Sequence, residues 1–340
     1  MDPAMPSQTK PVHPETTQAQ LAALTGHAGV YALSGTGWLR VTGSDRLRWL
    51  AGMLTNGIQQ QEPGTGSYNF ILSAQGRIQG DCYAFVREDD VLLQTSSEQL
   101  QPLMALLDRF IIMDDVELTD ISSEWHGIGI AGPESGDLLE RGGIEIKPFA
   151  PLTLHRHTYA DFKIDVIAAY SPAVLSLEIW CANAMDSASI RNVLVASGAV
   201  ECDSDAVEDL RILSGIPRYG TDIRDKDLPQ ETAQTRALSF SKGCYIGQEI
   251  VERIRSRGAV HRTFTGFLIE GELPIAGTAL ELDGKAVGEI TSAAVIPFPH
   301  GEKKLALGYI RREALMQKKP LNYASGNAAP LELPFAFDNP

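Results

Sequence analysis

The spacing of apolar residues changes between a helical and a strand-like period several times along the chain. Residues 47–54 carry apolar side chains three and four positions apart, which predicts an amphipathic helix with Ser44 as its N-cap. We expect Asn56 and Gly57 to end this helix. Residues 67–97 alternate around turns at Gly76 and Asp89, which predicts a three-stranded antiparallel meander. A second amphipathic helix over residues 98–110 and a returning strand over 116–121 follow.

The same alternation of strands and helices recurs in the middle of the chain. Strands are predicted over residues 127–131, 152–157, 162–170 and 175–181, and helices over 133–140, 187–197 and 205–213. Helices on one face of antiparallel sheets make the predicted fold class α+β, with two similar layers. Beyond residue 262, short apolar segments separated by glycine and proline predict a small all-β module.

Two stretches lack either period. Residues 1–22 are rich in proline, glutamine and threonine, and we expect a disordered tail there because little apolar surface offsets the entropy of ordering. Residues 216–261 are rich in turn residues and charges, a composition typical of functional loops.

Composition narrows the class of protein. The chain has 340 residues, of which 44% are hydrophobic and 21% charged, as in globular proteins of two or three structural units. Collagen-like, coiled-coil and wholly disordered classes are excluded. No apolar run approaches the roughly 18 residues of a membrane helix, and the N-terminal residues lack a secretory pattern. We therefore expect a cytoplasmic protein without a membrane partner.

Charge and cysteine content limit the partners. The net charge of −14 disfavours a chain-wide nucleic-acid surface and argues against DNA as a partner. The four cysteines, Cys82, Cys181, Cys202 and Cys244, include no Cys-x-x-Cys pair, so the sequence predicts no metal site and a reducing compartment.

One cysteine has unusual neighbours. Residues 242–249 read Lys-Gly-Cys-Tyr-Ile-Gly-Gln-Glu, so that Cys244 lies between two glycines that permit close backbone approach. Lys242 upstream and Arg253 downstream favour the thiolate form if they lie close to the sulfur. These three residues are the predicted catalytic group. The residues alone fit a second interpretation, in which Cys244 is buried and inert.

The motif at residues 242–249, with Arg253, Arg257 and Gly258 after it, resembles the signature of the YgfZ family. This family comprises folate-binding relatives of the glycine-cleavage T-protein, GcvT, that support iron–sulfur proteins. Weaker matches occur in the expected order over residues 28–315, namely at residues 54–76, 210–217, 228–231, 288–292 and 306–309.

The resemblance implies a GcvT-like ring of three lobes: two α+β folate-binding lobes followed by a C-terminal β-barrel. On this basis the predicted boundaries are a tail at 1–22, a first lobe at 23–125 and a second lobe at 126–240. A cysteine-motif loop at 241–262 and the barrel at 263–340 complete the chain.

The resemblance also implies a tetrahydrofolate site, or a site for a one-carbon derivative of that cofactor. Glu178 interrupts an apolar strand, where an unpaired carboxylate is costly, and it matches the glutamate of a Gly-Tyr-Glu strand in the T-protein. Arg211 matches an arginine in a T-protein helix. The residues alone equally fit a solvent-facing Glu178 and an ordinary salt bridge at Arg211.

Two further residues complete the predicted folate site. Asp81 falls beside an Asp-Asp pair of the T-protein, but this chain has Gly80 in place of the first carboxylate, which argues against aminomethyl transfer. A strand-capping role for Asp81 stays open. Tyr68 is predicted to stack on the pterin, with simple packing as the alternative.

The resemblance therefore predicts a folate-binding protein that assists iron–sulfur cluster assembly or repair in client enzymes, including enzymes that modify transfer RNA. Cys244 would be its reactive thiol. One alternative is a true glycine-cleavage aminomethyltransferase. Another is an RNA-docking module, since basic residues outnumber acidic ones between residues 242 and 262.

Overall fold

The chain forms two mixed β-sheets and one closed β-barrel, with helices packed on all three. The computed structural model describes residues 14–145, 150–258, 260–298 and 300–336, without the side chains of residues 14–16 and 257. The helices are α1 (Pro14–Gly26), α2 (Arg46–Met53), α3 (Ser97–Asp108), α4 (Ser135–Arg141), α5 (Ala184–Ala196), α6 (Ser204–Ser214), α7 (Gln248–Arg257) and α8 (Arg312–Leu315).

The strands divide among these three bodies in nearly sequential groups. They are β1 (Gly29–Ala32), β2 (Thr36–Thr42), β3 (Gly66–Leu72), β4 (Ile78–Val86), β5 (Val91–Ser96), β6 (Glu117–Asp120), β7 (His126–Ala131), β8 (Leu154–Tyr159), β9 (Phe162–Ala168), β10 (Ser176–Cys181), β11 (Val200–Glu201), β12 (Arg262–Gly271), β13 (Ala279–Leu282), β14 (Lys285–Phe298), β15 (Gly301–Arg311), β16 (Leu321–Tyr323) and β17 (Gly326–Leu331).

The first sheet has the strand order β3-β4-β5-β2-β6. Its first three strands are antiparallel neighbours, which confirms the predicted meander. Helices α2 and α3 cover one face of this sheet, where Leu50, Leu103 and Leu107 are buried. The N-cap of α2 is Asp45 rather than Ser44, because the Ser44 hydroxyl donates to Asp115 instead, at 2.8 Å. The helix also ends at Met53, before the predicted Asn56.

The second sheet has the order β11-β1-β7-β10-β9-β8, with α4 and α5 packed on one face. Strand β1 pairs antiparallel with β7, with Val30 opposite Ile130. The predicted boundary of the first lobe at residue 23 is therefore wrong for Gly29–Ala32. The sequence of a four-residue strand can show which side chains alternate between its two faces. It does not show which distant strand pairs with it, because that depends on the packing of the whole chain.

An aromatic cluster joins the faces of the two sheets that the helices leave uncovered. Trp180 of β10 is fully buried, and its ring lies edge-on to Trp38 at 5.9 Å and to Phe85 at 5.3 Å between centroids. Trp38 and Phe85 come from the first sheet. Edge-to-face aromatic pairs are worth about 0.5–1.5 kcal/mol each beyond the buried area. This cluster fixes how closely the two sheets approach.

The C-terminal strands form a closed barrel in the order β12-β15-β14-β13-β16-β17, as predicted. Its interior contains fully buried Phe267, Ile290 and Ile310. Its outer surface packs on α6, where Leu213 shares a cluster with Phe264. Two α+β layers followed by a barrel confirm the predicted fold class.

Helix α1 corrects the prediction of a disordered tail over residues 14–22; residues 1–13 lie outside the described part of the chain. Leu21 and Leu24 are buried, and they share a cluster with Ala206 and Leu213 of α6. The polar composition of the segment hides these two contacts, because the surface that covers them is about 185 residues away in sequence.

Helix α7 corrects the prediction that residues 241–262 form a loop. Gly247 precedes it with φ of 82° and Gly258 follows it with φ of 75°, both in the left-handed region that favours glycine. Gly247, one of the two glycines that flank Cys244 in sequence, therefore marks the start of α7, and Gly258 marks its end.

If α1 is docked as described, replacing Leu24 by alanine will lower the free energy of unfolding by about 2–5 kcal/mol, because a fully buried leucine leaves a cavity. Urea denaturation measures this loss. Gln18→Ala, on an exposed position of the same helix, is the matched control and should be near neutral. Equal midpoints for the two variants would mean that α1 does not dock.

Candidate functional site

The four residues predicted to bind folate line one cavity of about 350 Å³, called here the intersheet cavity. Tyr68 and Asp81 reach it from β3 and β4 of the first sheet, and Glu178 from β10 of the second. Arg211 on α6 also lines it. Its volume is that of a small-molecule site, typically about 300–1,000 Å³. Residues from both sheets are therefore required to form it.

Glu178 lies on the face of β10 that meets the first sheet, two residues before Trp180. Its Oε2 accepts hydrogen bonds from Trp180 Nε1 at 2.7 Å and from Gln94 Nε2 at 2.8 Å. Burial raises the pKa of this carboxyl above its usual range. No donor among the described residues reaches Oε1, so this oxygen is available to a ligand.

Asp81 and Tyr68 form a short hydrogen bond across neighbouring strands. The Tyr68 hydroxyl donates to Asp81 Oδ2 at 2.5 Å, and Gln99 Nε2 donates to Oδ1 at 2.9 Å. Burial raises the pKa of Asp81 and that of Tyr68. Tyr68 is only 3% exposed and contacts Phe70 and Tyr83 edge-on or tilted, so packing dominates the surroundings of its ring.

Arg211 lines the cavity with its N–H groups already engaged by protein. It forms a bidentate pair with Glu208 at 2.9 and 2.7 Å and a bond to Asp222 at 2.8 Å. The carbonyl of Ile216 and the hydroxyl of Ser292 accept its two remaining N–H groups. These contacts favour the salt-bridge alternative, in which Arg211 fastens α6 to the barrel.

Cys244 is exposed, whereas Cys82, Cys181 and Cys202 are buried. Burial raises the pKa of Cys181 and of Cys202 to about 12, which keeps both as inert thiols. Cys244 does not belong to the lining of the intersheet cavity. The exposed sulfur and the predicted folate residues are thus separate features of the surface.

Lys242 and Arg253, which are predicted to act together with Cys244, make their hydrogen bonds and ion pairs with other groups. Lys242 Nζ donates to the carbonyls of Ala51 at 2.7 Å and Leu54 at 2.5 Å, at the end of α2. Arg253 pairs with Glu249 one turn earlier at 2.5 Å. Within the part of the chain that the structure describes, neither cation bonds to Cys244.

Lys242 holds the cysteine segment against the end of helix α2. A cation at a helix C-terminus satisfies free carbonyls and opposes the negative end of the helix dipole. Burial lowers the pKa of Lys242 to about 8, because the charged ammonium loses hydration. The Ile246 N–H donates to the Gly52 carbonyl at 3.1 Å, so the segment is attached to α2 on both sides of Cys244.

Three residues of the cavity were missed by sequence reasoning. Gln94 holds Glu178, Gln99 holds Asp81, and Tyr83 lies opposite both Tyr68 and Gln94 in the sheet. Alternation along β4 puts Tyr83 on the face of Asp81, and that signal was present in the sequence. The two glutamines gave none, since an amide in a strand or helix is ordinary.

Other features of the described residues are weaker candidates for a functional site. A cavity of about 470 Å³ lies beside Arg87, Asp90 and Arg156, but these charges pair with one another or with buried Asp165. Among the described residues, no three His, Cys, Asp or Glu side chains are grouped so as to hold a metal ion. No described helix combines the length and the apolar character needed to cross a membrane.

Comparison with known proteins identifies the family. Residues 5–242 match the model of the GCVT N-terminal domain. The chain belongs to this GCVT family. The GCVT chain also superimposes on the crystal structure of the glycine cleavage system aminomethyltransferase T from Bartonella henselae with a TM-score of 0.82, 18% identity, and coverage of 94% of this chain and 89% of that one. This confirms the predicted GcvT-like fold.

Curated relatives carry transferase names. A protein of Arabidopsis thaliana named as a chloroplastic transferase is 26% identical over 289 residues, which cover 84% of the GCVT chain and 66% of the relative. The chain therefore spans just under two thirds of that relative. The aminomethyltransferase of Staphylococcus haemolyticus is 24% identical over 321 residues, 89% of this chain and 84% of the relative.

The exposure of the four thiols predicts their reactivity. In the folded protein, iodoacetamide will label Cys244 quickly and the three buried cysteines slowly, because alkylation needs access to the sulfur. Mass spectrometry of the labelled protein counts the modified thiols. Cys244→Ser should remove the fast phase. In urea, all four thiols of the unaltered protein should react. A second fast thiol, or an unchanged fast phase in the variant, would contradict this arrangement.

Proposed function

We propose that the protein is a YgfZ-like, tetrahydrofolate-binding member of the GCVT family that assists iron–sulfur cluster assembly or repair. Its clients would include enzymes that modify transfer RNA, and its place of action would be the cytoplasm. The observation that carries the proposal is the convergence of Glu178, Asp81 and Tyr68 on one cavity, from strands of two different sheets.

The polar groups of the intersheet cavity suit a reduced pterin. The pterin edge presents adjacent N–H donors, which two oxygens of a carboxylate accept in parallel. Glu178 offers Oε1 for such an edge while Trp180 and Gln94 hold Oε2 in place. Asp81 lines the same cavity from the first sheet, so it would contact another part of a ligand bound in this way. A neighbouring cavity of about 600 Å³ shares Gly35, Ser96 and Arg218 with this one and gives room for a tail.

The role proposed for Cys244 depends on its exposure. A surface thiol on a segment fixed to α2 can reach a cluster held by another protein, whereas a buried one cannot. Thiolates are preferred ligands of iron in clusters. We propose that Cys244 ligates client iron transiently, with folate held in the separate intersheet cavity. Arg253 and Arg255 pair with Glu249 and Glu252, so the structure adds no support to the RNA-docking alternative.

Aminomethyl transfer is the second candidate, because curated relatives over most of their length are named aminomethyltransferases. Gly80 stands where the T-protein resemblance places a second carboxylate, which leaves Asp81 as a single acid. An assay with tetrahydrofolate and the aminomethylated lipoyl carrier separates the two. Turnover at the level of a true T-protein would replace the iron–sulfur proposal.

Glu178→Gln will weaken tetrahydrofolate binding about 10- to 100-fold at neutral pH, since the amide loses a charge-assisted acceptor and turns a donor toward the ligand. Titration calorimetry measures the loss, with Glu117→Gln on the exposed edge of β6 as the matched control. Equal affinity of Glu178→Gln and Glu117→Gln for tetrahydrofolate would remove Glu178 from the site.

The affinity of the unaltered protein for tetrahydrofolate should fall on acidification. The pKa values of Glu178 and Asp81 are raised, so these two carboxylates accept protons at a higher pH than exposed carboxylates do.

Cys244→Ser will fail to restore the activity of iron–sulfur enzymes in a strain that lacks this protein, because a hydroxyl is a poor ligand for iron. The variant should bind tetrahydrofolate with unchanged affinity, since Cys244 does not line the intersheet cavity. Activity of a client enzyme in extracts, at matched protein levels, is the measurement. Full rescue by the serine variant would reject the thiol role and leave folate binding intact.

A further inference from the structure

Arg218 lies in the wall that the intersheet cavity shares with the neighbouring cavity of about 600 Å³. Ser96 and Tyr219 belong to the same shared wall, whereas Glu178 lines the intersheet cavity alone. A molecule that is held at Glu178 and extends into the neighbouring cavity therefore passes the shared residues. Arg218 is placed where such a molecule leaves the first cavity and enters the second.

The guanidinium of Arg218 is accessible and has N–H groups that the protein does not use. Its side chain is 51% exposed. Nη2 donates to Glu208 Oε2, and neither Nε nor Nη1 has a hydrogen-bond partner among the residues that the structure describes. Arg211, the other arginine of the intersheet lining, has all five N–H groups engaged by protein. Of the two arginines, Arg218 is therefore the one that can donate to a bound molecule.

The backbone at Arg218 is fixed by a buried carboxylate. The Arg218 N–H donates to Asp222 Oδ2 at 2.9 Å, and the Arg218 carbonyl accepts the N–H groups of Asp222 at 2.7 Å and Ile223 at 3.0 Å. Asp222 is fully buried, and its carboxylate also binds Arg211 and the hydroxyl of Ser292 in the barrel. The root of the Arg218 side chain is thus held in place before any ligand binds, which lowers the entropy lost on binding.

The charges of the neighbouring cavity restrict where an anion can bind in it. Among the described residues that line this cavity, Arg218 is the only lysine or arginine, and the acidic ones are Glu98, Asp203 and Glu208. Glu208 is already neutralised by a bidentate pair with Arg211. Glu98 and Asp203 repel an anion that lies next to them, whereas a guanidinium binds a carboxylate through parallel N–H bonds. A carboxylate that enters this cavity is therefore favoured at Arg218.

We infer that Arg218 binds a carboxylate on the tail of the folate, at the junction of the two cavities. The inference rests on the proposed folate function. A reduced folate joins a ring that carries N–H donors to a tail that carries carboxylates. Glu178 accepts hydrogen bonds from the ring and Arg218 donates hydrogen bonds to the tail, so that the two residues bind opposite ends of one ligand.

Two ligands separate the ring from the tail. Tetrahydrofolate carries both, whereas 6-methyltetrahydropterin carries the ring without the tail. Arg218→Gln removes the charge and the fork of N–H groups, and Arg218→Lys keeps the charge. Arg191→Gln is the matched control, because Arg191 also pairs with one glutamate, Glu201, at an exposed surface and lines neither cavity. Thermal unfolding of each variant verifies that it is folded.

Calorimetric titration measures the affinity of each protein for each ligand, with competition against tetrahydrofolate where the methylpterin binds weakly. We expect Arg218→Gln to lose about 10- to 100-fold in affinity for tetrahydrofolate, as for a lost charge-assisted hydrogen bond, and Arg218→Lys to lose less. Both variants should bind the methylpterin as the unaltered protein does, because this ligand has no tail. Arg191→Gln should change neither affinity.

Unchanged affinity of Arg218→Gln for tetrahydrofolate overturns the inference. An equal loss for both ligands overturns it as well, because such a loss comes from the ring or from a disturbed cavity and not from the tail. If the unaltered protein binds neither ligand, the proposed folate function itself fails. If Glu178→Gln loses affinity for tetrahydrofolate while Arg218→Gln keeps it, the folate function stands and only the assignment of Arg218 fails.

Discussion

The close approach of the two sheets at Trp180 is the constraint on which the site depends. Strand β10 is buried on both faces, with Leu177 and Ile179 turned to the helices and Trp180 turned to the first sheet. Glu178 shares the face of Trp180, so its carboxyl enters the same low-dielectric contact. It is tolerated there because Gln94 of the opposite sheet and Trp180 itself donate to it. Without the aromatic contact, neither donor distance would be held.

The segment that follows α6 connects this site to the cysteine motif. The Thr55 hydroxyl donates to the carbonyl of Ala237 at 2.6 Å, and Asn56 Nδ2 donates to that of Arg236 at 2.8 Å. These bonds fix the backbone of Arg236 to the first sheet while its side chain reaches Tyr170 of the second. Eight residues after Arg236 comes Cys244, and Lys242 attaches this part of the segment to the end of helix α2. One segment thus contacts Tyr68, which lines the intersheet cavity, and also carries the exposed Cys244.

Local patterns were sufficient for most elements of the fold and for part of the site. Alternation gave the meander from β3 to β5, and the interruption of an apolar strand indicated Glu178. The residues of β1 do not indicate that this strand joins the second sheet. The pairing of a four-residue strand depends on which neighbouring strands the folded chain brings beside it. The docking of Leu24 against α6 was equally invisible, since it depends on a surface formed late in the chain.

The two arginines near the cavity show why matched residue types are an incomplete guide to a ligand site. Arg211 was selected because it matches a position in a related family, yet its N–H groups are all engaged by Glu208, Asp222, Ile216 and Ser292. Arg236 gave no signal in sequence, yet its guanidinium lies over Tyr68 and Tyr170, and its buried Nη1 has no hydrogen-bond partner among the described residues. A polar ligand binds where donors and acceptors of the protein lack hydrogen-bond partners. These groups can be identified only once their neighbours in space are known. Tyr68 of the first sheet and Tyr170, which comes after β9, are far from Arg236 in sequence, so only the folded chain shows that they contact it.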